Sequence, residues 1–155
     1  MGVLTVHHWC NARGGLAECG RAARRRIVFM TWDPDAPGFW LVDHYVPELI
    51  AHDRRVFPPI STFRSVFSRV SSIPVPVPAD CVDGFLGAYW RRPEAYLDPA
   101  VRDAMSSFRR VPDIDDRMRA LAADLRSGAW ERRNGHLRNR DEMDLGYRIV
   151  VAEVA

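Results

Sequence analysis

Residues 3–35, VLTVHHWCNARGGLAECGRAARRRIVFMTWDPD, constrain the chain more than any other stretch. They read as a strand over residues 3–8, a short helix, a second strand and an aromatic, acidic turn. The core of the second strand, IVFM at residues 27–30, shows no polar alternation, the pattern of a strand in a parallel sheet covered on both faces. Between the strands, Asn11 can cap the helix, and Leu16, Cys19 and Ala23 give it an apolar stripe. The run Arg24, Arg25, Arg26 closes that helix, where cations complement the dipole. The rest of the chain then supplies cover and further strands.

After Met30 the segment TWDPDAPGFW holds two prolines and a glycine, so it is a loop at the carboxyl end of the second strand, where open parallel sheets bind ligands. A helix over residues 39–51 follows, interrupted or restarted at Pro47. Residues 53–59 read as a connector. From Ser61 as a cap, Phe63, Val66, Phe67 and Val70 recur at helical spacing, predicting an amphipathic helix over 61–70. Residues 72–79, SIPVPVPA, predict a strand whose prolines 74, 76 and 78 all withhold N–H groups on one side, which places it at a sheet edge. A helical insertion over about residues 82–135 comes next. Asp83 is expected to cap GFLGAYW; Asp98-Pro99 opens a helix carrying Val101, Met105 and Phe108. Asp113 caps another with Ile114, Met118, Leu121 and Leu125, closed at Gly128. Residues 130–144 read as a polar loop with a short helical turn, and YRIVVAEV at 147–154 as the last strand.

The segments VLTVHHW, RRR and FMTWDPD resemble the fourth and fifth strands, with their linking helix, of class I S-adenosylmethionine-dependent methyltransferases of the type-11, Rossmann-like family. VPVPADCVDGFLGAYWRRPEAYLDP and LGYRIVVAEV resemble the sixth-strand, lid and final-strand segments of the same family. The resemblance implies a truncated α/β sheet of about four mixed strands in the order first, second, last, third, with the last antiparallel and a helical lid. It covers the C-terminal portion of the family's domain. The front strands, whose glycine-rich turn and acidic residue hold the cofactor, have no counterpart, and Gly14-Gly15, which precedes the linking helix, follows the wrong strand and lacks the third glycine and the acidic partner, cannot replace them. S-adenosylmethionine is thus the cofactor by resemblance, with binding by this chain alone not expected, no residue assigned to it, and methyl transfer by this chain alone left open.

At 155 residues and 47% hydrophobic, the chain suffices for a single domain over 1–155 burying roughly 68–70% of its unfolded surface. Basic and acidic residues nearly balance at a net charge of +2, so there is no stripe for nucleic acid. All 22 basic residues are arginine, which removes lysine chemistry. Cys10, Cys19 and Cys81 form neither a disulfide framework nor a zinc pattern. No signal-peptide pattern or membrane span is legible, and a cytoplasmic location is the default.

His7 and His8 close the first strand and face opposite sides. The resemblance sets His8 nearest the substrate side, where a neutral imidazole can serve as general base; the alternative is a strand-end histidine bonded to backbone. Asp33 and Asp35 orient a substrate amine or make Asx-turns. No third carboxylate follows, so no metal is expected. Trp9, Trp32, Phe39, Trp40, Tyr45, Tyr89 and Trp90 sit at strand ends and in the insertion, either lining a substrate pocket or gluing the insertion to the sheet. Arg91 and Arg92 pair with an acidic substrate group or are solvated.

An uncovered first strand would be an apolar edge, so a homodimer through that edge or a bare sheet face is expected. Three functions follow. One is methyl transfer to a small molecule; another is a repurposed cofactor-independent cyclase or isomerase; the third is a non-catalytic partner of another methyltransferase.

Overall fold

A computed structural model describes residues 1–154. In chain order it contains β1 (Gly2–Val3), α1 (Ala12–Ala22), β2 (Arg26–Trp32), α2 (Trp40–His44), α3 (Pro47–Val56), α4 (Ile60–Arg64), β3 (Arg69–Pro74), β4 (Val77–Pro78), α5 (Pro99–Asp103), α6 (Ile114–Arg126), α7 (Ala129–Asn134), β5 (Glu142–Met143) and β6 (Tyr147–Glu153). Two units result: one of Met1–Pro37, His52–Val75 and Gly146–Ala155, the other of Gly38–Ala51 and Pro76–Leu145.

The first unit holds a four-stranded mixed sheet in the order β1-β2-β6-β3. β1 runs parallel to β2, and β6 runs antiparallel to both β2 and β3, the order and direction expected of the last strand. On one face Ile27, Phe29, Val150 and Ala152 pack with Leu16 of α1 and Phe63 of α4 into a closed core. Asn11 Oδ1 accepts the Gly14 N–H at 2.9 Å, so the expected cap of α1 forms. Gly15 lets the Trp9 ring lie on the helix, since a Cβ there would come within 2.4 Å of it. β3 stands at the edge of the sheet order, although of the three prolines expected to mark that edge only Pro74 lies in it.

Several local expectations need correction. The first strand stops at Val3, and Val6–His8 form a 3-10 turn instead. Leu4 takes a left-handed backbone (φ 46°) while donating its N–H to Met30 O at 2.8 Å, which turns the chain out of the strand. The proline-rich strand also breaks. β3 ends at Pro74 after a start at Arg69, and Val77–Pro78 pairs with Glu142–Met143 in a separate ribbon. Val75 still donates its N–H to Tyr147 O at 2.8 Å, so the prolines, whose missing donors fall on the outer side, are not what ends the pairing with β6. Because β3 begins at Arg69, the helix expected over 61–70 shortens to Ile60–Arg64, with Val70 in the strand. β2 is covered on one face only: Ile27, Phe29 and Thr31 are buried, while Val28, Met30 and Trp32 are half-buried.

In the second unit the core is aromatic. Trp40, Trp90, Trp130 and Tyr96 are fully buried together with Leu121. Trp40 packs edge-on against Tyr45, Tyr96 and Trp130 at centroid separations of 5.9, 5.8 and 5.3 Å. Its ring N–H donates to Trp90 O at 2.8 Å, and the Trp90 ring N–H donates to Val77 O at 3.1 Å. These bonds satisfy polar groups that burial would otherwise leave costly. Asp98 caps α5 through the Ala100 N–H at 2.9 Å, as expected. Asp113 precedes α6 in a left-handed conformation without a side-chain cap. Residues 83–91 form turns rather than the expected helix. Residues 130–144, expected as loop, hold α7, a 3-10 turn and β5. The buried Trp130 and Leu137 anchor that segment, and its many arginines and acids masked the apolar positions. Among the described residues no helix is long and apolar enough to cross a membrane.

Candidate functional site

At the carboxyl edge of the first unit's sheet, the chain leaves β1 and β2 and enters β6. The 3-10 turn after β1 sets the His7 ring 3.9 Å from the His8 ring, tilted by 44°, and stacks it on Phe57 at 4.1 Å and 25°. Phe57 in turn meets the Trp32 ring edge-on at 5.5 Å. His8, His7, Phe57 and Trp32 therefore form a continuous row of rings, with the His8 side chain exposed at its end. Both histidines lie in a turn and not at a strand end, so the alternation expected of them does not apply.

Asp33 sits at the end of β2, its N–H donating to Gly146 O at 2.8 Å. Its Oδ1 accepts the Asp35 N–H at 3.2 Å, the Asx-turn reading of this pair. Asp35 is exposed and accepts from Arg54 Nε at 2.9 Å, a solvent-screened pair worth little energetically. Gly146 holds a backbone conformation at φ 91° that brings it against the Asp33 carbonyl, the Trp32 ring N–H and Ala36. A side chain there has no room.

The remaining expected aromatics lie elsewhere. Trp9 packs on the first unit's core beside Phe29, edge-on at 6.3 Å. Phe39, Trp40, Tyr45, Tyr89 and Trp90 belong to the second unit. Trp40 and Trp90, at 2% and 0% exposure, have a packing role there and no accessible face for a ligand. Phe39 is buried beside Trp40, and Tyr89 lies edge-on to Tyr96 at 5.8 Å. Arg92 stacks over Tyr89 at 4.8 Å and donates to Cys81 O and Ala88 O, while Arg91 donates to Arg140 O at 3.0 Å. Both arginines are thus engaged with backbone. Phe57 was missed because it falls in what reads as a connector; a large aromatic directly before two prolines was its one signal.

Tyr45 carries the second unit's strongest titration feature. Its hydroxyl donates to Asp124 Oδ2 at 2.7 Å and accepts from Arg133 at 2.9 Å, while Arg133 also pairs with Asp124. Burial, then the bond to Asp124, pushes the phenol up from 10.0 to about 12. The phenol's bond, followed by the Arg133 guanidinium, holds Asp124 below the usual carboxylate range against the opposing effect of burial. A raised acid is favoured neutral in the folded state, so its stability is complete below pH 10.0 and is lost as pH rises toward about 12. The lowered carboxylate contributes above its ordinary range and loses its contribution as pH falls through the depressed value. Tyr45→Phe is therefore expected to flatten the alkaline limb of melting temperature against pH. An unchanged limb would contradict this.

A mixed four-stranded sheet, with its final strand antiparallel between two parallel neighbours and a ring cluster at its carboxyl edge, is a methyltransferase-like α/β fold. The chain is similar to the "Putative methyltransferase from antibiotic biosynthesis pathway" of Anabaena variabilis, with 34% identity and a TM-score of 0.83 over 97% of its residues. It spans 65% of that protein's length. No family model and no curated protein matches the chain.

Proposed function

We propose that the protein serves methyl transfer to a small molecule of a biosynthetic pathway, contributing the substrate-side residues of a methyltransferase-like sheet. The observation that carries this reading is the similarity to the Anabaena protein along nearly the whole of the present chain. The ring row supports it: Trp32 and Phe57 offer flat apolar faces to a substrate, and the exposed His8 can take a proton from a hydroxyl or amine. His7, stacked on Phe57 and tilted against His8, positions that imidazole.

The residues present do not fit S-adenosylmethionine. A donor cradle needs glycines whose backbone stays open to a nucleotide. Gly14 and Gly15 lie inside α1, with Asn11 and the Trp9 ring filling the space a ligand would enter. This chain by itself is therefore proposed not to bind the donor.

Titration calorimetry with S-adenosylmethionine and S-adenosylhomocysteine tests that half: no saturable heat is expected, and micromolar binding would overturn it. Native mass spectrometry against a pool of small aromatic alcohols and amines tests the substrate half. Adducts that disappear in a Phe57→Ala, Trp32→Ala double variant are expected; failure to retain any member of the pool would sink it.

A further inference from the structure

Two carboxylates follow Trp32 where β2 leaves the sheet, and their charges are balanced differently. Asp35 pairs with Arg54 Nε at 2.9 Å, so those two charges cancel. Asp33 is half-buried, its Oδ1 accepts the Asp35 N–H, and among the described residues it enters no ion pair. Arg148, opposite Thr31 in the ladder, donates to Tyr147 O at 3.0 Å and does not pair with Asp33. The turn uses one of the two Asp33 oxygens, which leaves the other for a ligand. A carboxylate partly withdrawn from water and lacking a counter-charge is a place for a cation. The adjoining Trp32 ring strengthens that preference, because the face of an indole attracts cations.

Resting on the methyl-transfer reading above, we propose that the substrate is an aromatic alcohol carrying an ammonium group, which Asp33 holds at the Trp32 end of the ring row. His8, His7, Phe57 and Trp32 follow one another, so the exposed imidazole and the Asp33 carboxylate stand at opposite ends with rings between them. One end anchors and the other reacts. An ammonium at Asp33 has no lone pair to offer a methyl group. A hydroxyl at the His8 end gives its proton to the imidazole: the O–H bond breaks, an N–H bond forms, and the oxygen keeps the electron pair. The aromatic body between the two groups lies on the flat ring faces. An acidic group is disfavoured at the Trp32 end, since Arg54 is already compensated by Asp35 and Asp33 would repel it.

Tyramine, 4-ethylphenol and 3-(4-hydroxyphenyl)propionate share a phenol ring and carry a cation, no charge and an anion, so their ranking against the full chain decides the matter. In titrations followed by ligand-observed NMR at neutral pH, tyramine is expected to bind roughly three- to tenfold more tightly than 4-ethylphenol, with the propionate weakest. Asp33→Asn should remove tyramine's advantage and leave 4-ethylphenol unchanged. Its amide oxygen still accepts the Asp35 N–H, so the turn survives, and circular dichroism checks the fold. Added salt should narrow the gap in the natural chain and not in the variant. Equal binding of tyramine and 4-ethylphenol, or an advantage that persists in folded Asp33→Asn, overturns the ammonium proposal and leaves the methyl-transfer reading standing. Should the variant not fold, the ranking by the natural chain alone decides. Binding of none of the three also overturns the proposal, and the wider pool of alcohols and amines then judges the methyl-transfer reading separately.

Discussion

Gly146→Ala is expected to destabilise the first unit more than any other single-methyl addition. The new Cβ would lie 2.6 Å from the Asp33 carbonyl oxygen and 2.9 Å from the Trp32 ring nitrogen. The first of these is backbone and cannot rotate away. The position also holds φ 91°, which side chains other than glycine's rarely adopt. Backbone strain of this kind costs roughly 1–3 kcal/mol, and relief of the clash adds to it, so a loss of about 3 kcal/mol or more is the expectation. Equilibrium urea unfolding reads it directly as a lowered midpoint. Because relief must move Asp33 or Trp32, the variant should also weaken whatever small-molecule binding the ring row supports. A midpoint matching the natural protein would mean that the loop between β2 and α2 yields easily, and the described geometry would be wrong as a constraint.

Trp40→Ala should be the most damaging truncation in the second unit. Its ring touches Tyr45, Tyr96 and Trp130, and its N–H satisfies the buried Trp90 carbonyl. Removing a buried tryptophan costs about 3–5 kcal/mol, through lost contacts and the cavity left behind. In a chain of this size that corresponds to a fall in melting temperature of roughly 10 °C. Trp40→Phe separates the two contributions, since it keeps most ring packing and orphans only the carbonyl, at about 1–3 kcal/mol. Equal losses for the two variants would show that the hydrogen bond, and not the ring volume, holds this core.

The sheet was legible because its signals are local and redundant. Continuous apolar runs marked β2 and β6, the Asn11 cap marked α1, and Pro74 marked the edge strand β3, while Pro76 and Pro78 fall beyond it. Boundaries failed where tertiary geometry overrode pattern. Nothing in VLTVHH announces that Leu4 adopts a left-handed conformation, and so His7 and His8 moved from a strand to a turn. Ser61, Asp83 and Asp113 have capping chemistry, yet none forms a side-chain cap of a helix: Ser61 lies inside α4, Asp83 precedes turns and no helix, and Asp113 holds a left-handed backbone before α6. α7 escaped notice because its apolar positions, Ala129 and Trp130, are too few to set a period.

The candidate site was half legible. The position of ligands at the carboxyl ends of strands follows from topology, and Trp32, Asp33, His7 and His8 do gather there. Composition could not separate a tryptophan that lines a pocket from one that fills a core. Trp40 and Trp90 look like Trp32 in sequence, and burial in the fold tells them apart, since the first two are buried and Trp32 is half-buried. Phe57 depends on α3 reaching Val56, beyond the stretch where helical spacing was visible.

The position of β6 bears on biosynthesis. Emerging from the ribosome, β2 and β3 have no hydrogen-bonded contact with each other, since both ladders run through β6, made about 73 residues after β3 and about 115 after β2, delays of about 4–15 s and 6–23 s at ordinary elongation rates. During that interval the nascent polypeptide displays the apolar ribbon of β2 with one side of its ladder unsatisfied, and a chaperone that shields it should raise the yield of native protein more than one acting after release.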